Sequence, residues 1–159
     1  METNQMPMSN LEVESFGKYI SAIYRHSQIL VSSRLKPFQI GSGQYIFLLT
    51  IAANEGISQK ALSQQLAIDK TTTGKAIDKL EAQGYVWRKA SSLDNRYKLL
   101  YLTDSGKLVV PKVKEILDEL TSLILAGIDD TEYTVMMNIL RKALFNIREL
   151  ARTGGLESV

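Results

Sequence analysis

A mainly α-helical fold carrying one small β-hairpin follows from two observations on this chain of 159 residues. Apolar residues recur at three- and four-residue spacing along most of its length, and that period changes to an extended one directly after Gly84. A third observation sets the organisation: two short, separately capped helical segments stand immediately before the extended stretch, and long amphipathic helices occupy both chain ends.

The elements follow in order. Phe16, Tyr19, Ile20, Ile23, Leu30 and Val31 share one helical face, so residues 12–35 read as a long helix ending before Pro37. The nearly all-apolar run Tyr45 to Ala53 predicts a buried helix capped by Ser42. Ser58 caps a short helix to Leu66, and Asp69 caps another over 70–83 that Gly84 stops. Two helices joined by so short a turn make a helix-turn-helix. Tyr85 to Lys89 then reads as a strand, 90–97 as a polar turn and Lys98 to Leu102 as the returning strand. Thr103 caps a long helix bearing Val109, Val113, Ile116, Leu117, Leu120 and Ile124, with a bend expected at Pro111. A last helix opens at Asp129 with Glu132 at capping-box spacing and carries Tyr133, Met136, Met137, Leu140, Leu144, Ile147 and Leu150. Three segments result: residues 1–37 and 104–159 as a helical region built from both chain ends, and 38–103 as a helix-turn-helix domain with a hairpin.

Composition narrows the function classes. The chain is 45% hydrophobic and 23% charged, an ordinary globular balance that supplies a real core. No apolar run reaches the roughly 18 residues of a membrane span, and residues 1–10 lack a signal-peptide pattern, so a cytoplasmic location is expected. Cysteine is absent, which excludes disulfides and thiol sensing, and the single histidine, His26, gives no basis for a metal centre. No phosphate loop or dinucleotide fingerprint is present, Gly41-Ser42-Gly43 being only a helix-entry turn; neither an enzyme nor a cofactor is expected. The net charge of +2 is unevenly spread. Eight bases face four acids between Ser58 and Thr103, whereas six bases face eight acids from Asp104 to Leu150. The basic excess coincides with the helix-turn-helix, where a nucleic-acid footprint would lie.

A helical wheel sharpens this. Thr73, Ala76, Ile77 and Leu80 converge on one side of the 70–83 helix, while Thr71, Lys75 and Lys79 point away, with Asp78 as a discordant acid among them. Short hydroxyls at the N-terminal end and amines further along suit a recognition helix in a major groove. A hairpin directly after such a helix is the wing of a winged helix, whose tip reaches an adjacent minor groove. There Arg96 would insert and Asp94 would hold its aim, since an exposed pair contributes little to folding. The candidate DNA contacts are therefore Ser58, Gln59, Lys70, Thr71, Thr72, Lys75, Lys79, Asp94, Arg96 and Lys98. The rival reading is a winged-helix protein-interaction module in which the basic face meets an acidic protein.

Asp94-x-Arg96 followed by Leu102-Thr103-x-x-Gly106 resembles the wing and following helix start of the multiple-antibiotic-resistance regulator (MarR) family of bacterial transcription factors. The resemblance extends upstream through ISQKALSQQLAIDKTTTGKAIDKLEAQGYVWR, with Leu62, Leu66, Ile68, Lys75, Leu80, Glu81, Gly84, Val86 and Arg88 at matching positions, and spans about residues 40–106. Gly74 departs from the family's usual Ser or Thr. The resemblance implies a homodimer joined through the terminal helices and acting, as a repressor, on a pseudo-palindromic operator. It further implies a small aromatic or phenolic, anionic effector bound where the dimerisation helices meet the winged helix. Arg25, His26, Arg34, Tyr45 and Arg88 are the groups this chain offers for it. Independently, the terminal helices carry more apolar surface than one small domain can cover, which a symmetric partner would bury.

Overall fold

The computed structural model describes residues 15–91 and 97–154. In chain order the elements are α1 (Phe16–Leu35), a 3-10 turn (Lys36–Phe38), α2 (Tyr45–Ala53), β1 (Ile57–Ser58), α3 (Gln59–Leu66), α4 (Lys70–Ala82), β2 (Val86–Ala90), β3 (Lys98–Leu102), α5 (Asp104–Ile124) and α6 (Asp130–Arg152). Two compact units form, Met1–Leu120 and Thr121–Val159, and the expected segment boundaries at 37 and 103 both fall inside the first. One core explains this: Val31 and Leu35 of α1 and Val109, Val110 and Val113 of α5 are buried in the same cluster as Phe47, Leu48, Ile51, Leu62, Ile77 and Leu80.

Side-chain caps fix where most helices begin. Ser58 Oγ accepts from Ala61 N at 3.1 Å, Asp69 Oδ1 from Thr72 N at 2.8 Å and Thr103 Oγ1 from Gly106 N at 3.0 Å, each satisfying an otherwise orphaned first-turn donor. Asp129 and Glu132 close a reciprocal capping box on α6. The start of α2 differs from expectation. Gln44, not Ser42, occupies the cap position, and its Oε1 accepts from Gly41 N at 2.9 Å, which closes the turn locally and leaves Ser42 inside it. Helix α5 continues through Pro111 without interruption.

Helix ends are equally specific. At the close of α4, Tyr85 N donates to Leu80 O and Gly84 N to Glu81 O, both at 2.9 Å, around a left-handed Gly84. The same paired pattern ends α3, where Ile68 N donates to Ser63 O and Ala67 N to Gln64 O. These are Schellman closures. In the second the left-handed residue is Ala67, at φ 52°, where glycine would be the unstrained choice.

The sheet has the order β1-β3-β2 and is antiparallel throughout. Its long pair sets Val86 opposite Leu102, Arg88 opposite Leu100 and Ala90 opposite Lys98. Two-residue β1, which sequence periodicity could not reveal, pairs Ile57 with Leu100 and so ties the base of α3 to the hairpin. Trp87 stacks on Tyr101 with centroids 5.1 Å apart, and its indole N–H donates to Leu102 O.

The buried Gly106 sits where a Cβ would lie 2.1 Å from the Tyr85 carbonyl oxygen, so no side chain fits unless backbone moves. Gly106→Ala is expected to destabilise the first unit by about 1–3 kcal/mol, the usual cost of overpacking, as read by denaturant unfolding. An unchanged midpoint would show that α5 can retreat from Tyr85 at no cost.

Candidate nucleic-acid interface

The surface in question is built by three elements whose ends meet. Ser58, Gln59 and Lys60 open α3, Lys70 opens α4, and Tyr97 and Lys98 stand at the start of β3. Together they line one open groove of about 300 Å³. Three ammonium groups and the N-terminal ends of two helices border this space, an arrangement that attracts anions. Of the expected contacts, Ser58, Gln59, Lys70 and Lys98 are brought together here. Lys60 and Tyr97 were missed, because neither belongs to the recognition helix and only the fold of β1 and β3 carries them to the groove.

The outward face of α4 agrees with the helical wheel. Thr73, Ala76, Ile77 and Leu80 are buried, whereas Thr71, Thr72, Lys75 and Lys79 are exposed. Thr72 is also part of the cap: its hydroxyl donates to Asp69 Oδ2 at 2.7 Å. Gly74 has a plain structural setting. A Cβ there would meet Gln59 Nε2 of α3 at 3.4 Å, so this position lies where the two helices pack. Asp78, discordant on the wheel, is paired with Arg88 at 2.6 Å. Asp94 and Arg96, with the rest of 92–96, lie outside the described residues.

The residues expected around an effector do not line the groove, and Arg25, Arg34, Tyr45 and Arg88 have neighbours of their own. Arg25 donates to Ser21 Oγ on the same exposed stretch of α1 as His26. Arg34 lies 3.8 Å from Glu119, Tyr45 is half-buried against the core, and Arg88 is held between Asp78 and Glu81. Among the described residues there is no cluster of three metal-ligating side chains, and no helix is long and apolar enough to cross a membrane.

A helix-turn-helix continued by a hairpin, with cations gathered where both helices and the hairpin's returning strand begin, defines a winged helix-turn-helix protein. The MarR family model matches residues 38–96. The HTH-type transcriptional regulator YybA of Bacillus subtilis is 30% identical over 128 residues, covering 80% of this chain and 85% of that one. A MarR transcriptional regulator of Methanosarcina mazei is similar at 37% identity and a TM-score of 0.81, over 84% of this chain and 96% of its own. A MarR family regulator of Listeria monocytogenes, solved in complex with a 26mer DNA, is similar at 27% identity and a TM-score of 0.82, over 92% and 100%. The chain belongs to the MarR family of transcriptional regulators and is not an enzyme.

The cap of α4 has a pH dependence. Hydrogen bonds from the Thr72 hydroxyl and then the Thr72 backbone hold the Asp69 carboxyl below its ordinary 3.8. A depressed folded-state pKa contributes stability that is present above 3.8 and lost as pH falls through the lowered value. Amide exchange in the first turn of α4 should therefore accelerate more on acidification in the wild type than in Asp69→Asn. Identical acid profiles would remove the cap as the titrating element.

Proposed function

We propose that this chain is a homodimeric repressor that binds a pseudo-palindromic DNA operator. Its recognition helix, 70–83, would enter the major groove and its wing, 90–97, the flanking minor groove. The observation that carries the reading is the convergence of Lys60, Lys70 and Lys98 on one groove beside the exposed Thr71, Lys75 and Lys79. Such a surface matches a polyanionic backbone along one side of α4. The Listeria relative was captured on DNA, which supports the same use here. Segments 1–37 and 104–159 would form the dimer. Phe16, Tyr19, Ile20 and Ile23 of α1 are exposed, and the 23-residue α6 has no buried residue despite Phe145, Ile147 and Leu150. Apolar surface of this extent calls for a partner, and a second copy supplies it symmetrically.

The contacts divide by reach. Lys79, farther along α4, serves phosphate; Lys75 serves phosphate or a guanine edge; Arg96, aimed by Asp94, enters the minor groove. On a duplex selected by the protein from a randomised pool, Lys79→Ala should weaken all sequences alike and lower the salt slope by about 1, while Arg96→Ala should cost about 1–3 kcal/mol. Fluorescence titration across a salt series reads both. A salt-independent affinity would instead favour the protein-interaction reading.

An anionic aromatic effector completes the proposal, with Arg25 and His26 as its exposed cationic and ring groups and Arg34, Tyr45 and Arg88 as candidates that must first release present neighbours. An inducer must bind the DNA-incompetent form more tightly, so operator DNA weakens its binding by the same factor. Calorimetric titration of salicylate into free and DNA-bound protein is expected to give the weaker affinity in the complex; equal affinities would exclude that compound as an inducer.

A further inference from the structure

Strand β2 carries one charged residue on its inward face. Side chains alternate along a strand, so Arg88 lies on the same side as the buried Val86, while Trp87 turns to the other face and Tyr101. Only 20% of the Arg88 side chain is exposed. Its Nη2 donates to Asp78 Oδ1 at 2.6 Å, its Nη1 donates to Glu81 Oε2, and its backbone N–H donates to Glu81 Oε1 at 3.3 Å. Asp78 and Glu81 stand one turn apart on the same face of α4, where two carboxylates repel unless a cation lies between them. A planar guanidinium can serve both at once; an ammonium cannot reproduce that fork. These contacts cross from the recognition helix to the first strand of the wing.

We propose that Arg88 is a positioning residue for DNA recognition, holding the wing at a fixed aim beside α4 without itself touching DNA. The inference rests on the DNA-binding reading above. Its charge is cancelled where it stands and its donors point toward α4, so it releases no counterions when the duplex binds. The arrangement also accounts for an acid on the DNA-facing side of a recognition helix: Asp78 is there to hold Arg88, and its charge is not presented bare to phosphate.

The test compares the full chain with Arg88→Met and with the triple variant Asp78→Asn, Glu81→Gln, Arg88→Met, which removes the tie together with all three charges. The probes are a duplex selected by the wild type from a randomised pool and a mixed-sequence duplex. Both variants are expected to keep wild-type helicity and to bind the selected duplex about ten-fold or more weakly; the triple variant, which leaves no bare carboxylate on α4, is expected to bind mixed sequence without a comparable loss, whereas Arg88→Met also loses some mixed-sequence affinity to the two acids it uncovers. In the free protein, amide exchange in β2 and β3 should be faster. A triple variant with wild-type affinity for the selected duplex would overturn the positioning role. A salt slope lower by about 0.9 in Arg88→Met would overturn it too, by identifying a direct phosphate contact. Should Arg88→Met lose helicity, Arg88→Lys keeps the charge without the fork and is expected to show a smaller loss confined to the selected duplex; full affinity there counts against the proposal. A wild type that binds neither duplex overturns the DNA reading itself.

Discussion

Four parts of the first unit meet at Tyr85. Its N–H ends α4 through Leu80 O, its carbonyl accepts from Thr103 N at 3.1 Å as α5 begins, and its hydroxyl donates to Phe38 O at 3.0 Å in the segment after α1. Gly106 presses on the same carbonyl, and Thr103 Oγ1 reaches back to Gly84 O. The end of the recognition helix, the root of the wing, the start of α5 and the connector after α1 are thus referred to a single residue. Most of these bonds pair backbone groups in half-buried surroundings, where a group left unpaired is costly, so the junction resists being opened one bond at a time. The placement of the outward face of α4 depends on this junction.

Much of this was legible in the sequence, for local reasons. The buried set Thr73, Ala76, Ile77 and Leu80 followed from helical period alone, and Ser58, Asp69 and Asp129 are caps because their short side chains compete for first-turn amides. What could not be read was non-local. Strand β1 is too short for a period and exists only because β3 passes beside it. Gln44 displaced Ser42 because a side chain three residues on reached back to Gly41. Lys60 and Tyr97 are 37 positions apart and become neighbours only through the sheet. Asp78 looked wrong on a wheel because its partner lies on another element. Residues 92–96, where Asp94 and Arg96 were assigned, lie outside the described residues.

The charges show a division that net charge conceals. On the groove side, lysines stand without an acid among the groove-lining residues; on the wing side, Arg88 is fully engaged by two carboxylates. The first arrangement keeps its long-range field, the second converts charge into geometry. A basic residue therefore contributes to attraction or to alignment according to its neighbours, and the count of eight bases in this third of the chain overstates the attractive part.

The turn between α3 and α4 carries a further consequence. Ala67 is held left-handed, Ser63 is buried, and Ser63 Oγ donates to Ile68 O at 2.5 Å, so the turn is closed by side chain and backbone together. A non-glycine residue persists in that conformation only where its surroundings over-determine it. The angle between the two helices is consequently a stiff coordinate, and β1 extends the stiffness to the hairpin. A domain tied in this way turns as one rigid piece, so in the dimer proposed above the distance between the two copies, rather than the shape of either, would be the quantity available for control.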